Sequence, residues 1–167
     1  MKAVALFSGG LDSTLAIKII QEQGVEVIAL NFMSPFCRCD HSNGCASAIT
    51  AMAQKLGVSC HRVYLGDEYL DIVRRPRHGY GKNLNPCIDC RILKFMKAKE
   101  FMRQAGAQFL ISGEVLGQRP MSQHRQSLER IDKEAQIEDI ILRPLSAKLF
   151  SATLPEREGW VDREKLL

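Results

Sequence analysis

The stretch Ala3-Val4-Ala5-Leu6-Phe7-Ser8-Gly9-Gly10-Leu11-Asp12-Ser13-Thr14, running on into Leu15-Ala16-Ile17-Lys18-Ile19-Ile20, decides the fold. It reads as an apolar strand over residues 3–7, a glycine turn, and a helix from about Asp12 to Gln23. Two adjacent glycines let the backbone bend tightly and bring its N–H groups against a ligand. The start of a helix adds unpaired donors and the positive end of its dipole. Ser8, Ser13 and Thr14 add hydroxyls. Together these groups suit a phosphate or pyrophosphate. The spacing is neither G-x-x-x-x-G-K-[ST] nor G-x-G-x-x-G. Asp12 stands where a phosphate-gripping Lys would be expected. A carboxylate beside polyphosphate needs an intervening cation, so Asp12 implies Mg2+.

Working outward, strands and helices alternate. Residues 25–31 form an apolar second strand, followed by a long loop over 32–44. Residues 45–56 read as a helix, 58–65 as a strand and 67–73 as a short helix. A basic loop spans 74–86 and a strong helix 87–104, with Ile88, Ile92, Phe95, Met96 and Met102 on or near one face. Residues 108–112 are the fourth strand, 116–134 mixed loop and helix, and 140–142 the fifth strand. This order predicts an α/β fold, a parallel five-stranded sheet with helices on both faces. Ligands of such sheets bind beyond the carboxyl ends of the strands. The loops after Phe7, Asn31 and Ser112 should therefore converge, with Asn31 framing an adenine.

A chain of 167 residues is one ordinary domain. That domain is expected to occupy residues 1–150. Residues 151–167 read as the start of a C-terminal extension, because Trp160 to Leu167 resembles the first turns of a helix with Asp162 as its N-cap. The native protein is expected to continue past Leu167. Hydrophobic content of 46% and charged content of 25% fit a soluble globular protein. No run approaches the roughly 20 apolar residues of a membrane span, and no signal peptide is visible. A cytoplasmic protein with no membrane partner is expected. A net charge of +4 permits a nucleic-acid partner without demanding one.

The six cysteines are Cys37, Cys39, Cys45, Cys60, Cys87 and Cys90. In a cytosolic chain they read as metal-binding or catalytic groups rather than a disulfide framework. Cys87-Ile88-Asp89-Cys90 opens a helix, so its two thiols share a face and the helix start favours thiolate. Such a pair can chelate a metal or carry sulfur. Cys37-Arg38-Cys39 and Cys45 could ligate a metal or supply a third thiolate, or they could be thiols of a plain loop. Cys60 reads as a small core residue. In the basic loop, Arg74, Arg75, Arg77, His78 and Lys82 suit the phosphates of an RNA backbone, with Tyr80 available for stacking. A solvated surface loop is the other reading of the same residues. Arg143, at a strand end, could meet a phosphate or pair with an acidic neighbour.

The Ser8-Gly9-Gly10-Leu11-Asp12-Ser13 loop resembles that of the PP-loop ATP pyrophosphatases. Ser112-Gly113-Glu114-Val115-Leu116-Gly117-Gln118, with Ser122-Gln123, is similar to the segment after strand 4 of tRNA 4-thiouridine synthetases, and Leu142-Arg143-Pro144-Leu145 to their next strand end. Asn85-Pro86-Cys87 resembles a segment of tRNA 2-thiouridylases. The resemblance runs through about Leu145. It implies an ATP-dependent sulfurtransferase that adenylates a uridine carbonyl oxygen of tRNA and replaces it with sulfur. On that reading Ser8, Gly9, Gly10, Asp12, Ser13 and Thr14 hold ATP and Mg2+, Gly113 and Glu114 lie beside the nucleotide, and Cys87 and Cys90 deliver sulfur. Relatives that hold a 4Fe-4S cluster with a CxxC pair and a third Cys imply the same use of Cys87 and Cys90 here, in preference to zinc. The third ligand would come from Cys37, Cys39 or Cys45, since no Cys follows Cys90 here, or else from beyond Leu167 or from a second subunit. The resemblance also implies a sulfur donor and leaves room for a separate RNA-binding domain or protein, or a homodimer. Two alternatives stay open: a PP-loop ligase of the 7-cyano-7-deazaguanine synthase kind, and a nucleotide-binding or sulfur-carrier subunit without turnover of its own.

Overall fold

Strand β1 (Lys2–Leu6) is the centre of a five-stranded, all-parallel sheet of order β3-β2-β1-β4-β5. Its neighbours are β2 (Glu26–Met33) and β4 (Phe109–Ser112), with β3 (Cys60–Tyr64) and β5 (Ile141–Leu142) at the edges. This is a computed structural model, and it describes residues 1–37 and 45–167. The helices are α1 (Leu11–Gln21), α2 (Cys45–Leu56), α3 (Asp67–Arg74), α4 (Cys87–Gln104), α5 (Arg125–Ala135) and the short α6 (Leu154–Arg157). The fold class expected from the alternation is the one observed.

Alternation along the strands sorts the core into two layers. Ala3, Ala5, Ala29, Phe109 and Ile111 face α1 and α2, where Ala16, Ile17 and Ile20 complete one cluster. Val4, Ile28, Leu30 and Leu110 face α4 and α5, against Phe95, Met102 and Ile131. Each fully buried Ile contributes about 1.5–3 kcal/mol relative to exposure. Alanines at the centre of β1 let helices approach the sheet closely. Register places Leu6 beside both Leu30 and Ser112, so β1, β2 and β4 end along one rim.

Two sequence expectations shift. Met96 is 53% exposed and lies off the α4 core stripe, because the buried positions of that helix are Asp89, Phe95, Ala98 and Met102. The stretch read as mixed loop and helix divides into turns over 116–124 and α5 from Arg125, as expected. The terminal segment forms a 3-10 turn (Arg163–Lys165) instead of an α-helix start, although Asp162 does cap it by accepting from the Glu164 N–H at 3.0 Å. That segment packs into the first core layer. Val161 and Leu166 are buried, and Trp160 stacks on Phe109 with centroids 6.3 Å apart. Among the described residues no helix is long and apolar enough to cross a membrane.

Candidate active site

The loop from Ser8 to Gly10 leaves β1 at the carboxyl rim and enters α1 directly. Gly9 adopts φ +77°, and a Cβ there would lie 2.9 Å from Ile49 Cγ1 of α2. Glycine serves both the backbone angle and the close approach. Gly10 is the N-cap and makes no side-chain cap. The first-turn N–H groups of α1 therefore face the loop's ligand side with the dipole behind them. The hydroxyls organise this loop. Ser13 Oγ donates to Gly10 O at 3.0 Å and accepts from Ser8 N at 3.3 Å, while Thr14 Oγ1 donates to Gly10 O at 2.9 Å. Ser13 is buried, so its contribution to a bound phosphate is the shape of the backbone.

Gly113, just past β4, presses on that turn: a Cβ would fall 2.6 Å from Ser13 N and 2.7 Å from the Asp12 carbonyl carbon. Gln118 Nε2 donates to Asp12 Oδ2 at 3.2 Å. Asp12 is thus steered from the segment after β4. Such a carboxylate, beside open helix-start donors, fits a Mg2+–polyphosphate group. Asn31, also buried, donates from Nδ2 to Phe7 O at 2.8 Å and holds the ends of β1 and β2 together.

Glu114 is 3% exposed and faces inward. Its Oε1 accepts from Arg91 Nη1, and its Oε2 from Arg143 Nε at 2.9 Å. Arg143 Nη1 and Nη2 grip Asp132 in a fork at 2.8 and 2.7 Å. The carboxylates hold Arg143 well above the ordinary arginine range against the opposing effect of burial, and burial raises Asp132. Of the two sequence readings of Arg143, pairing with acidic neighbours is the one observed. Both oxygens of Glu114 are occupied by arginines, so it stands beside the nucleotide loop as a strut.

Helix α4 starts at Cys87. Phe36 meets Tyr69 of α3 edge to face at 6.1 Å, which brings the loop after β2 onto that helix. The Tyr69 phenol is pushed up to about 12, first by burial and then by the charge and hydrogen bond of Cys90 and the neighbouring Cys37 and Cys87. Among the described residues, however, no three His, Cys, Asp or Glu side chains stand close enough to hold one metal ion. Cys39 lies outside the described residues, and Cys45 marks the first residue of α2. The described residues alone do not assemble a three-ligand cluster site. Cys60, on β3, packs against the first core layer, and burial raises its thiol.

The basic loop is anchored by a histidine. His78 N–H donates to Asp89 Oδ2 at 3.0 Å, and its ring nitrogens lie 2.9 Å from Asp89 Oδ1 and 2.8 Å from Glu134 Oε1. Asp89, between the two cysteines, therefore ties the loop to the thiol helix. Arg74 and Arg77 are 72% and 82% exposed, with loose pairings to Asp71 at 3.5 Å and Glu134 at 3.9 Å. Together with Arg75, Ile92, Leu93 and Met96 they line a groove of about 650 Å³. Lys82 opens a 3-10 turn (Lys82–Leu84). Tyr80 Oη donates to the carbonyls of Val73 and Arg74 at 2.7 and 3.0 Å, leaving its ring 44% exposed. The roles of Arg91, Tyr69, His78 and Gln118 escape a reading of the chain, because each depends on a partner 11 or more positions away.

A five-stranded parallel sheet with a glycine loop and an uncapped helix start at its carboxyl rim defines the PP-loop, adenine nucleotide alpha hydrolase-like class. Residues 1–148 match the family described as thiamine biosynthesis protein (ThiI), and the chain belongs to that family. It is 33% identical over 165 residues to the tRNA-specific 2-thiouridylase MnmA of Nitratidesulfovibrio vulgaris, covering 93% of this chain and 46% of that protein. It is 34% identical over 116 residues to the MnmA of Trichlorobacter lovleyi, covering 66% of this chain and 32% of that one. Among solved structures, a 4-thiouridine synthetase–RNA complex with bound ATP aligns with a TM-score of 0.72 and 25% identity, over 98% of this chain and 38% of that chain. The chain spans less than half the length of each of these relatives.

Proposed function

We propose that this domain carries out ATP-dependent thiolation of a tRNA uridine. The observation that carries the reading is an uncapped glycine loop at the carboxyl rim of the sheet, linked through Gly113, Glu114 and Arg91 to the helix that carries the cysteine pair. One half of the site suits adenylation and the other suits sulfur delivery. The loop backbone and α1 start hold the polyphosphate, and Asp12 holds the Mg2+ that neutralises charge on it. A uridine carbonyl oxygen attacks the α-phosphorus, the α–β bond breaks and pyrophosphate leaves. Sulfur then attacks the activated carbon and AMP departs. A persulfide donor passes its outer sulfur to Cys87 or Cys90 and leaves as a thiol, and that cysteine persulfide is the sulfur that attacks and displaces AMP. The other cysteine cleaves the resulting disulfide to free the thiouridine. An external thiol reduces the disulfide that is left between Cys87 and Cys90. No step is assigned to an iron–sulfur cluster, because the described residues do not bring three ligands together. Arg74, Arg75, Arg77 and Lys82 grip the RNA backbone, and a further RNA-binding domain or protein provides the rest of the hold.

The relatives support this reading: one bears the name tRNA-specific 2-thiouridylase, and another is a 4-thiouridine synthetase bound to RNA and ATP. The test is incubation with ATP, Mg2+, bulk tRNA, a persulfide donor and a reducing thiol. AMP, pyrophosphate and thiolated nucleosides should appear together. Release of ADP and phosphate would overturn the assignment.

A further inference from the structure

Cys90 is followed in α4 by Arg91, whose guanidinium donates to Glu114 Oε1. Glu114 is followed back through Gly113 to the phosphate loop, where a Cβ on Gly113 would meet Ser13 N at 2.6 Å. There is no slack at that point, since backbone faces backbone. The path from the phosphate loop to the thiol helix is therefore short and stiff: Ser13 against Gly113, then Glu114, then Arg91, then Cys90. On its other side Glu114 is fixed by Arg143, which is in turn forked onto Asp132. Arg91 is the more exposed of the two arginines, with 23% of its side chain accessible against 5% for Arg143. Arg143 is shared between Glu114 and Asp132, so Arg91 supplies the second positive charge of this network. It also adds a connection to the helix that carries the thiols.

We infer that Arg91 is a positioning residue that couples occupancy of the nucleotide site to the placement of Cys87 and Cys90. This inference rests on the thiolation reading above, but its first test needs neither RNA nor turnover. Phosphate seated against the start of α1 bears on Asp12 and Ser13, these bear on Gly113, and Glu114 passes the displacement to Arg91. A charge-assisted hydrogen bond between Arg91 and the held carboxylate of Glu114 transmits position as well as charge. The coupling keeps the thiols in register with the activated uridine only when ATP is present.

The experiment is per-cysteine alkylation of the whole chain by iodoacetamide, read by mass spectrometry, with and without ATP and Mg2+, alongside calorimetric measurement of ATP binding. In the wild type, ATP should change the alkylation rate of Cys87 or Cys90 by about threefold or more. Arg91→Met should abolish that change while still binding ATP, and Arg91→Lys should restore it in part. Glu114→Gln, which preserves shape, should uncouple the sites as Arg91→Met does, and it decides the matter if Arg91→Met does not fold. With tRNA, a persulfide donor and a reducing thiol present, Arg91→Met should lower thiolation per pyrophosphate released by about tenfold. ATP binding without any effect on wild-type thiols, or an undiminished effect in Arg91→Met, would overturn the coupling and leave the thiolation reading standing. Failure of the wild type to bind ATP would overturn both.

Discussion

Gly113 lies so close to Ser13 that a single methyl group would fall 2.6 Å from the Ser13 amide nitrogen. The neighbouring atoms are backbone, so they cannot rotate away as a side chain would. The end of β4 and the first turn of α1 are consequently one packed unit. Gly113→Ala should destabilise the domain by about 1–3 kcal/mol through overpacking. It should also weaken ATP binding more than its stability loss explains, because the displaced atoms are the phosphate-site donors. Thermal unfolding paired with calorimetric ATP titration checks both parts.

Asp12 has a different character. It is half-buried at the surface of the loop, and its one protein partner among the described residues is Gln118. Asp12→Ala should abolish pyrophosphate release while leaving the melting temperature within a few degrees of the wild type. Asp12→Asn should be nearly as inactive, since a neutral amide is a poor Mg2+ ligand. Full activity of either variant at saturating Mg2+ would remove Asp12 from the nucleotide site.

The exposed arginines yield a prediction about salt. Arg74 and Arg77 make only long, solvent-exposed ion pairs, which are worth little to stability. Replacing Arg74, Arg75 and Arg77 with Ala should therefore barely alter unfolding. Affinity for tRNA should fall, and the log–log dependence of binding on salt should flatten by about 0.7 to 0.9 for each phosphate that is no longer neutralised. Filter binding over a salt series measures this. An unchanged slope would leave the loop as a solvated surface.

Much of the site was legible because it is local. The phosphate loop, the capless start of α1 and the cysteine pair at the start of α4 are each written within a few consecutive residues. Helices α2 and α4 could be bounded at Cys45–Leu56 and Cys87–Gln104 from glycine stops and apolar spacing alone. The struts were not legible. Glu114 meets Arg91 across 23 positions and Arg143 across 29, and His78 meets Glu134 across 56. A lone charged residue in sequence reads equally well as a ligand-binding group or a surface group. Only the sheet order β2-β1-β4-β5, which brings β4 and β5 side by side, turns Glu114 and Arg143 into a buried pair. Met96 misled for the same kind of reason: its spacing is apolar, but the groove beside α3 leaves it uncovered.

That buried pair sets the fourth prediction. Arg143 compensates Glu114 and Asp132 at 5% exposure, and burial already raises Asp132. Arg143→Met would leave two carboxylates with only Arg91 between them. Breaking a buried pair by removing one partner costs about 3–5 kcal/mol. Urea unfolding should show a loss of that order. Asp132→Asn introduced into Arg143→Met should recover part of it by removing one of the stranded charges. A loss well under about 1 kcal/mol would mean that water reaches the network.

The thiols make the last prediction. Cys90, Cys37 and Cys87 all raise the Tyr69 phenol electrostatically, yet no three metal-ligating side chains among the described residues come within reach of one ion. Anaerobically purified protein therefore tests two mechanisms at once. If sulfur travels on Cys87 or Cys90 as a persulfide, the protein should lack iron and acid-labile sulfide. In that case Cys87→Ala or Cys90→Ala should stop thiolation while ATP-dependent pyrophosphate release persists. If Cys39 or Cys45 completes a 4Fe-4S site, the protein should show broad visible absorbance and iron with labile sulfide. Each of the same two substitutions should then remove both signals, and Cys39→Ala or Cys45→Ala should identify the third ligand. Stoichiometric zinc after anaerobic handling would make the cysteine site structural and take sulfur delivery away from Cys87 and Cys90.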